Sequence, residues 1–231
     1  MVQKFRINGI YQMKINNVLV GTQVICFVVN RITPIHGRQS VIHGRISMFC
    51  NIDRMPDDIY RMAEQIVLTP ELLFYLGFDV AESLPGINAE YHYVKYITVN
   101  GNPGMIQLVP EDDGTFKRVK MNKDGKFEKV EHLEFLDDFQ ETIVEEYKCE
   151  LSVRLETINH YCLNDTLVSN LANMVVEKLN RSGQLSWEQF KFMICQRPGV
   201  LDYDVMPVFK YGLLHHMFHL VPNTYGCFIS K

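Results

Sequence analysis

Apolar and polar residues alternate along several stretches of the chain. From Ile143 onward, Tyr147, Cys149, Leu151, Val153 and Leu155 fall on one parity, and Glu146, Lys148, Glu150, Ser152, Arg154 and Glu156 on the other. A period of two marks a strand with one face in the core and one in water, so this pattern predicts a long strand over 143–156. Two β-type stretches, Ile10 to Val20 and Gln23 to Asn30, flank Val20-Gly21-Thr22 and predict an early hairpin. Asp124-Gly125 stands between Phe116 to Met121 and Phe127 to Val130. An Asp-Gly pair tolerates the positive φ angles of a tight hairpin turn, so a second hairpin is predicted there. Further strands are predicted over 40–50, 90–99, 104–110, 185–195 and 224–230.

Helices are fewer and well punctuated. Pro56 in a first turn, with Asp57 and Asp58 where the helix dipole favours negative charge, opens a segment carrying Ile59, Met62, Ala63 and Ile66 at helical spacing. Thr69, Pro70 and Glu71 then read as N-cap, N1 and N2, with Leu72, Leu73 and Leu76 as the apolar stripe. Gly77 suits a left-handed C′ position, and Phe78 supplies the apolar contact beyond it. A third helix starts at Asn164, turns Leu167, Val168, Leu171, Met174, Val175 and Leu179 inward, and stops before Gly183. The expected class is β-rich α+β, an antiparallel, jelly-roll-like β-sandwich with about three helices. It is expected to form a single domain over 1–231, with helical insertions at 56–77 and 164–181.

Composition narrows the functional classes. The 231 residues are 47% apolar and 22% charged, which excludes a wholly disordered chain. A net charge of −4 gives no global field for gripping phosphate backbones, so no specific nucleic-acid binding is expected. The apolar run Val24 to Val29 is far shorter than the roughly 20 residues of a membrane-spanning helix, and no membrane span is expected. The first residues lead into Asn8, Gly9, Asn16 and Asn17 rather than an unbroken apolar stretch, so a cytoplasmic or virion location without secretion is expected. Cys26, Cys50, Cys149, Cys162, Cys195 and Cys227 are spread singly without a Cys-x-x-Cys, the pattern of reduced, mostly buried thiols.

Candidate chemistry is sparse. Ile35-His36-Gly37-Arg38 recurs as Ile42-His43-Gly44-Arg45, which offers imidazoles and guanidiniums for an anion; a glycine-permitted bend explains the same residues without a ligand. His215, His216 and His219 would share a helix face, with His215 and His219 one turn apart, and are the candidate metal ligands. No carboxylate lies between them to act as a base, and an amphipathic surface segment explains them without a metal. The adjacent acids Asp57-Asp58, Asp112-Asp113, Asp137-Asp138 and Glu145-Glu146 read as solvated faces. Lys117, Arg118, Lys120, Lys123, Lys126 and Lys129, interleaved with Asp124 and Glu128, read as a solvated hairpin. No Gly-x-Ser-x-Gly and no P-loop is present. No catalytic residue and no cofactor are expected.

Leu68-Thr69-Pro70-Glu71-Leu72-Leu73-Phe74-Tyr75-Leu76-Gly77-Phe78 resembles a capped helix ending in Leu-Gly-Phe in capsid proteins, of the minor-capsid or penton-like kind, from adintoviruses and Polinton-type elements. Tyr161, Asn164 to Val168, Leu171 and Leu179-Asn180 are similar to a second helix of that family, in reversed order along the chain. The resemblance implies a jelly-roll sandwich, a virion-structural role and no catalytic residues. The expected function is therefore a non-catalytic structural protein that self-associates or docks with other structural proteins in a larger particle. The alternatives are an enzyme with a histidine-based, metal-dependent site drawing on His36, His43 and the C-terminal trio, and a protein-binding module of a cellular or viral complex.

Overall fold

A computed structural model of the chain describes residues 5–17, 21–35, 38–47, 50–52, 62–99, 101–148, 154–221 and 228–230. The first five-stranded sheet contains β1 (Ile10–Asn17), β2 (Gly21–Ile35), β3 (Arg38–Ser47), β4 (Cys50–Ile52) and β5 (Ala63–Gln65), in the order β4-β3-β2-β1-β5. Helix α1 (Pro70–Tyr75) leads to a second sheet, a sequential meander of β6 (Asp79–Glu82), β7 (Tyr91–Val99), β8 (Asn102–Pro110), β9 (Phe116–Met121) and β10 (Phe127–Leu133). Helices α2 (Leu136–Tyr147), α3 (Leu155–Leu163), α4 (Leu167–Ser182), α5 (Trp187–Cys195) and α6 (Val205–Leu214) follow, with a 3₁₀ turn at Asp202–Asp204. A third sheet sets β13 (Phe228–Ser230) between β11 (Gln184–Ser186) and β12 (His219–Val221).

Both predicted hairpins form. Strands β1 and β2 pair from Ile10↔Val28 to Asn17↔Gly21, and β9 and β10 pair around Asp124-Gly125, where Gly125 has φ 75°. The α1 caps also match the sequence. Thr69 Oγ1 accepts from the Leu72 amide at 3.2 Å, and Gly77 turns left-handed at φ 85°. The Phe78 amide then donates to Leu73 O and the Gly77 amide to Phe74 O, the paired bonds of a Schellman ending.

The jelly-roll sandwich does not form. Thirteen strands lie in three separate sheets beside six α-helices among the described residues, and no two sheets close into a sandwich or barrel. The first core shows why. Ile10 and Cys26 from the first sheet, and Tyr93, Ile106, Leu108 and Phe116 from the second, share it with Leu72 and Leu73 of α1, Leu136, Phe139 and Ile143 of α2, and Ile158 of α3. Helices therefore supply the surface that a facing sheet supplies in a sandwich. A second core joins Val168, Leu171 and Val175 of α4 to Phe190 and Ile194 of α5, Val208 of α6, Leu185, Phe218 and Ile229. On the other face of the first sheet, Tyr11, Met13, Phe27, Val29 and Ala63 pack together.

Two predicted strands fall largely on helices among the described residues. Residues 143–147 belong to α2 and 155–156 to α3, while 149–153 lie outside the described residues. Leu136, Phe139 and Ile143 are buried at i, i+3 and i+7, and Leu155 and Ile158 at i and i+3. The described residues at both ends of the predicted strand thus follow a helical period of burial and not a period of two. Over 185–195 only Leu185 and Ser186 are strand; α5 begins at Trp187 with a reciprocal box, in which the Gln189 amide donates to Ser186 Oγ at 3.2 Å and the Ser186 amide to Gln189 Oε1 at 2.9 Å. Of the predicted insertion at 56–77, residues 56–61 lie outside the described ones, and Ala63–Gln65 is a strand paired with β1 rather than helix. The insertion at 164–181 is helix α4.

Candidate functional site

The last 65 or so residues carry the most distinctive surface. On α5, Phe190 and Ile194 recur at i and i+4 and are buried, with Trp187 stacked on Phe190 at 5.4 Å between ring centroids. That stripe anchors the helix, with Trp187, Met193 and Cys195 packed at its margins. Gln189, Phe192, Met193 and Gln196 fall at i, i+3, i+4 and i+7 and form a second face, which lines an open groove of about 500 Å³. Leu185 of β11 and Pro198 beyond α5 complete its apolar lining. Phe192 is 66% exposed, an unusual position for a large aromatic ring on a helix that already has a core face.

Lys178 near the end of α4 and Arg197 just past α5 also line this groove. Both are exposed, and neither takes part in an ion pair among the described residues. The groove thus presents an apolar lining beside unneutralised positive charge, on a chain whose net charge is −4. Such a surface attracts anionic groups and retains apolar ones.

Behind α6 lies a polar cluster. Asp204 is sealed from solvent and accepts from the Tyr75 hydroxyl at 2.6 Å and the Leu201 amide at 2.7 Å, with His160 Nε2 3.0 Å from each of its carboxylate oxygens. Tyr203 stands edge-on to His160 at 5.3 Å. Burial, then the hydrogen bond to Asp204 and its charge, push the Tyr75 hydroxyl well above the ordinary phenol range, so Tyr75 is a donor and not a phenolate. A saturated carboxylate of this kind fixes α1, α3 and α6 relative to one another.

The residues singled out from sequence do not assemble. His215 follows the end of α6, its amide bonded to Tyr211 O and its ring 4.2 Å from that of Tyr211. His216 turns left-handed at φ 51°, and His219 lies in β12 with Nε2 2.8 Å from Ser230 Oγ. The predicted shared helix face is therefore absent, because α6 ends at Leu214. His36 lies outside the described residues, and His43 lies in β3 opposite Arg31. No group of three or more His, Cys, Asp or Glu among the described residues is placed to hold a metal ion. The basic hairpin is more paired than expected: Arg118 is buried and meets Glu131 and Glu146, while Lys117 and Lys129 meet Glu111.

Sequence reading passed over Phe192, Lys178 and Arg197. The available signal was the pair of apolar stripes between Trp187 and Gln196, which a helical period of 3.6 separates and a strand period of two merges. No helix among the described residues is long and apolar enough to cross a membrane. Comparison with protein-family models, with curated proteins and with solved structures finds no match for this chain.

Proposed function

We propose that this protein is a non-catalytic docking protein whose groove between α4, β11 and α5 takes a peptide segment of a partner protein. The segment carries one large apolar side chain, which packs on Phe192 and Met193, and acidic side chains that face Lys178 and Arg197. The observation that carries this reading is the groove-lining face of α5, exposed at Phe192 beside Lys178 and Arg197, which take part in no ion pair among the described residues. Helix faces of this kind recognise partners through a few aromatic anchors, with charge guiding approach and orientation. Docking is one way for a chain to join a larger assembly, and it requires neither a sandwich nor a jelly roll.

Selection of a random displayed peptide library on the full chain tests the proposal. Peptides with Asp or Glu flanking Leu, Phe or Trp should be enriched and bind with dissociation constants on the order of micromolar. Phe192→Ala should weaken them at least tenfold, and the double reversal Lys178→Glu with Arg197→Glu should abolish acidic selectivity, both with unchanged circular dichroism. Binders indifferent to all three positions count against the groove. Concentration-dependent dimerisation in light scattering, lost in Phe192→Ala, assigns the groove to a second copy instead.

A further inference from the structure

Cys26 in β2 is 1% exposed, and Cys162 in the last turn of α3 is half-buried. Their meeting follows from how α3 is seated. Asn159 Oδ1 accepts from the Cys26 backbone amide at 2.8 Å, which fixes this turn of the helix over the strand. Cys162 lies three residues further on, on the same side of α3. Cys26 belongs to the first core and Cys162 packs against that same core, close enough that its thiol is the strongest influence on the Cys26 thiol. The spacing of these cysteines in the chain gives no hint of the pairing, since a strand and a distant helix bring them together.

We propose that Cys26 and Cys162 form a dithiol oxidation site, at which a hydroperoxide converts the pair into a disulfide joining β2 to α3. Cys162 borders solvent and reacts first. Its thiolate attacks one peroxide oxygen and the O–O bond breaks; the released hydroxide takes up a proton and leaves as water, and Cys162 becomes a sulfenic acid. The Cys26 sulfur then displaces the sulfenic hydroxyl, the S–S bond forms, and that hydroxyl leaves with the Cys26 proton as a second water. Two thiols lose two electrons and two protons, and hydrogen peroxide is reduced to two waters. The neighbouring Cys162 thiol, and then burial, hold the Cys26 thiol up, so Cys26 acts as the resolving partner and not as the first nucleophile.

The disulfide would close a very long loop and shrink the unfolded ensemble accordingly. The full chain, reduced, freed of reductant and treated with hydrogen peroxide, provides the test. Proteolysis without reduction should yield a Cys26–Cys162 linked peptide, and the intact mass should fall by two hydrogens. The melting temperature should rise on the order of 10 °C and return on adding dithiothreitol. Cys162→Ser, at the half-buried position, should show neither the linked peptide nor the rise. The peptide map of the wild-type chain is decisive whether or not that variant folds. A Cys26 thiol still alkylated after Cys162 has reached the sulfinic state overturns the proposal, as does a disulfide from either residue to another cysteine.

Discussion

The Tyr75 hydroxyl donates to Asp204 Oδ1 across 2.6 Å and so ties the end of α1 to the start of α6, two elements far apart in the chain. Tyr75 also packs against both the first and the second core, so this one side chain bridges the two halves. Tyr75→Phe keeps the ring and removes the donor, which leaves Asp204 with His160 and the Leu201 amide. The expected loss is about 1–2 kcal/mol, because the abandoned acceptor is a buried carboxylate. Urea unfolding at neutral pH measures it; a loss indistinguishable from zero would mean that the bond only orients the helices.

Phe190 and Phe192 offer a sharper contrast, two positions apart on one helix. Phe190 is fully buried among Trp187, Phe209 and Phe218, so Phe190→Ala is expected to cost about 3–5 kcal/mol. Phe192 faces solvent, and Phe192→Ala is expected to stay within about 0.5 kcal/mol of the parent. Thermal melts of the two variants side by side check both. Equal losses would show that the groove face of α5 is part of the fold rather than a free surface.

Gly212 in α6 is held small by its neighbour. A Cβ placed there overlaps the ring of Phe218, which is itself buried in the second core. Alanine ordinarily favours a helix interior over glycine, yet here Gly212→Ala is expected to destabilise by about 2 kcal/mol as Phe218 is displaced. A stabilised Gly212→Ala protein in chemical denaturation would contradict the packing described for these two residues.

His92 links stability to pH. Its Nδ1 lies 2.7 Å from the Glu82 carbonyl, which only accepts, so Nδ1 carries the proton and Nε2 accepts from Gln107 Nε2 at 3.2 Å. Burial lowers the imidazole's affinity for a second proton below its ordinary value. For a group whose folded pKa is depressed, the contribution is complete above the unfolded pKa, about 6.5 for histidine, and declines as pH falls from there toward the folded value. Stability of the parent relative to His92→Gln should therefore be flat above neutrality and fall on acidification below roughly pH 6.5. Denaturant titrations of both proteins between pH 5 and 8 would reveal the slope, and a pH-independent difference would exclude His92 as its source.

Strands β7 to β10 of the second sheet were legible because they are short and meet at turn residues such as Gly101 and Gly125, both at positive φ. Helix α1 was legible from its ends alone, through Thr69, Pro70 and Gly77. The helical half was not. Around Glu146 to Glu156 a period of two is present in the residues, but α2 and α3 draw their burial from positions 136–143 and 155–161, on either side of it. Asp204 shows a different limit: its partners Tyr75 and His160 arrive from other elements, and no local spacing announces them. Phe192 looked like one more apolar residue of a strand until the helix revealed which of its neighbours turn inward.

The first core has a consequence for synthesis. Ile10 and Cys26 share it with Leu155, Ile158 and Tyr161, so the leading sheet cannot be covered on that face until α3 has left the ribosome. At roughly 5–20 residues per second, the nascent strands spend on the order of 10 s with one side unsheltered. On the opposite side Met13, Phe27, Val29 and Ala63 all lie within the first 63 residues and can meet early, while Tyr11 still awaits its hydrogen bond to Asp137 of α2. During translation the apolar contacts of one side thus form before those of the other, and the interval before α3 emerges is when a chaperone has most reason to hold the sheet.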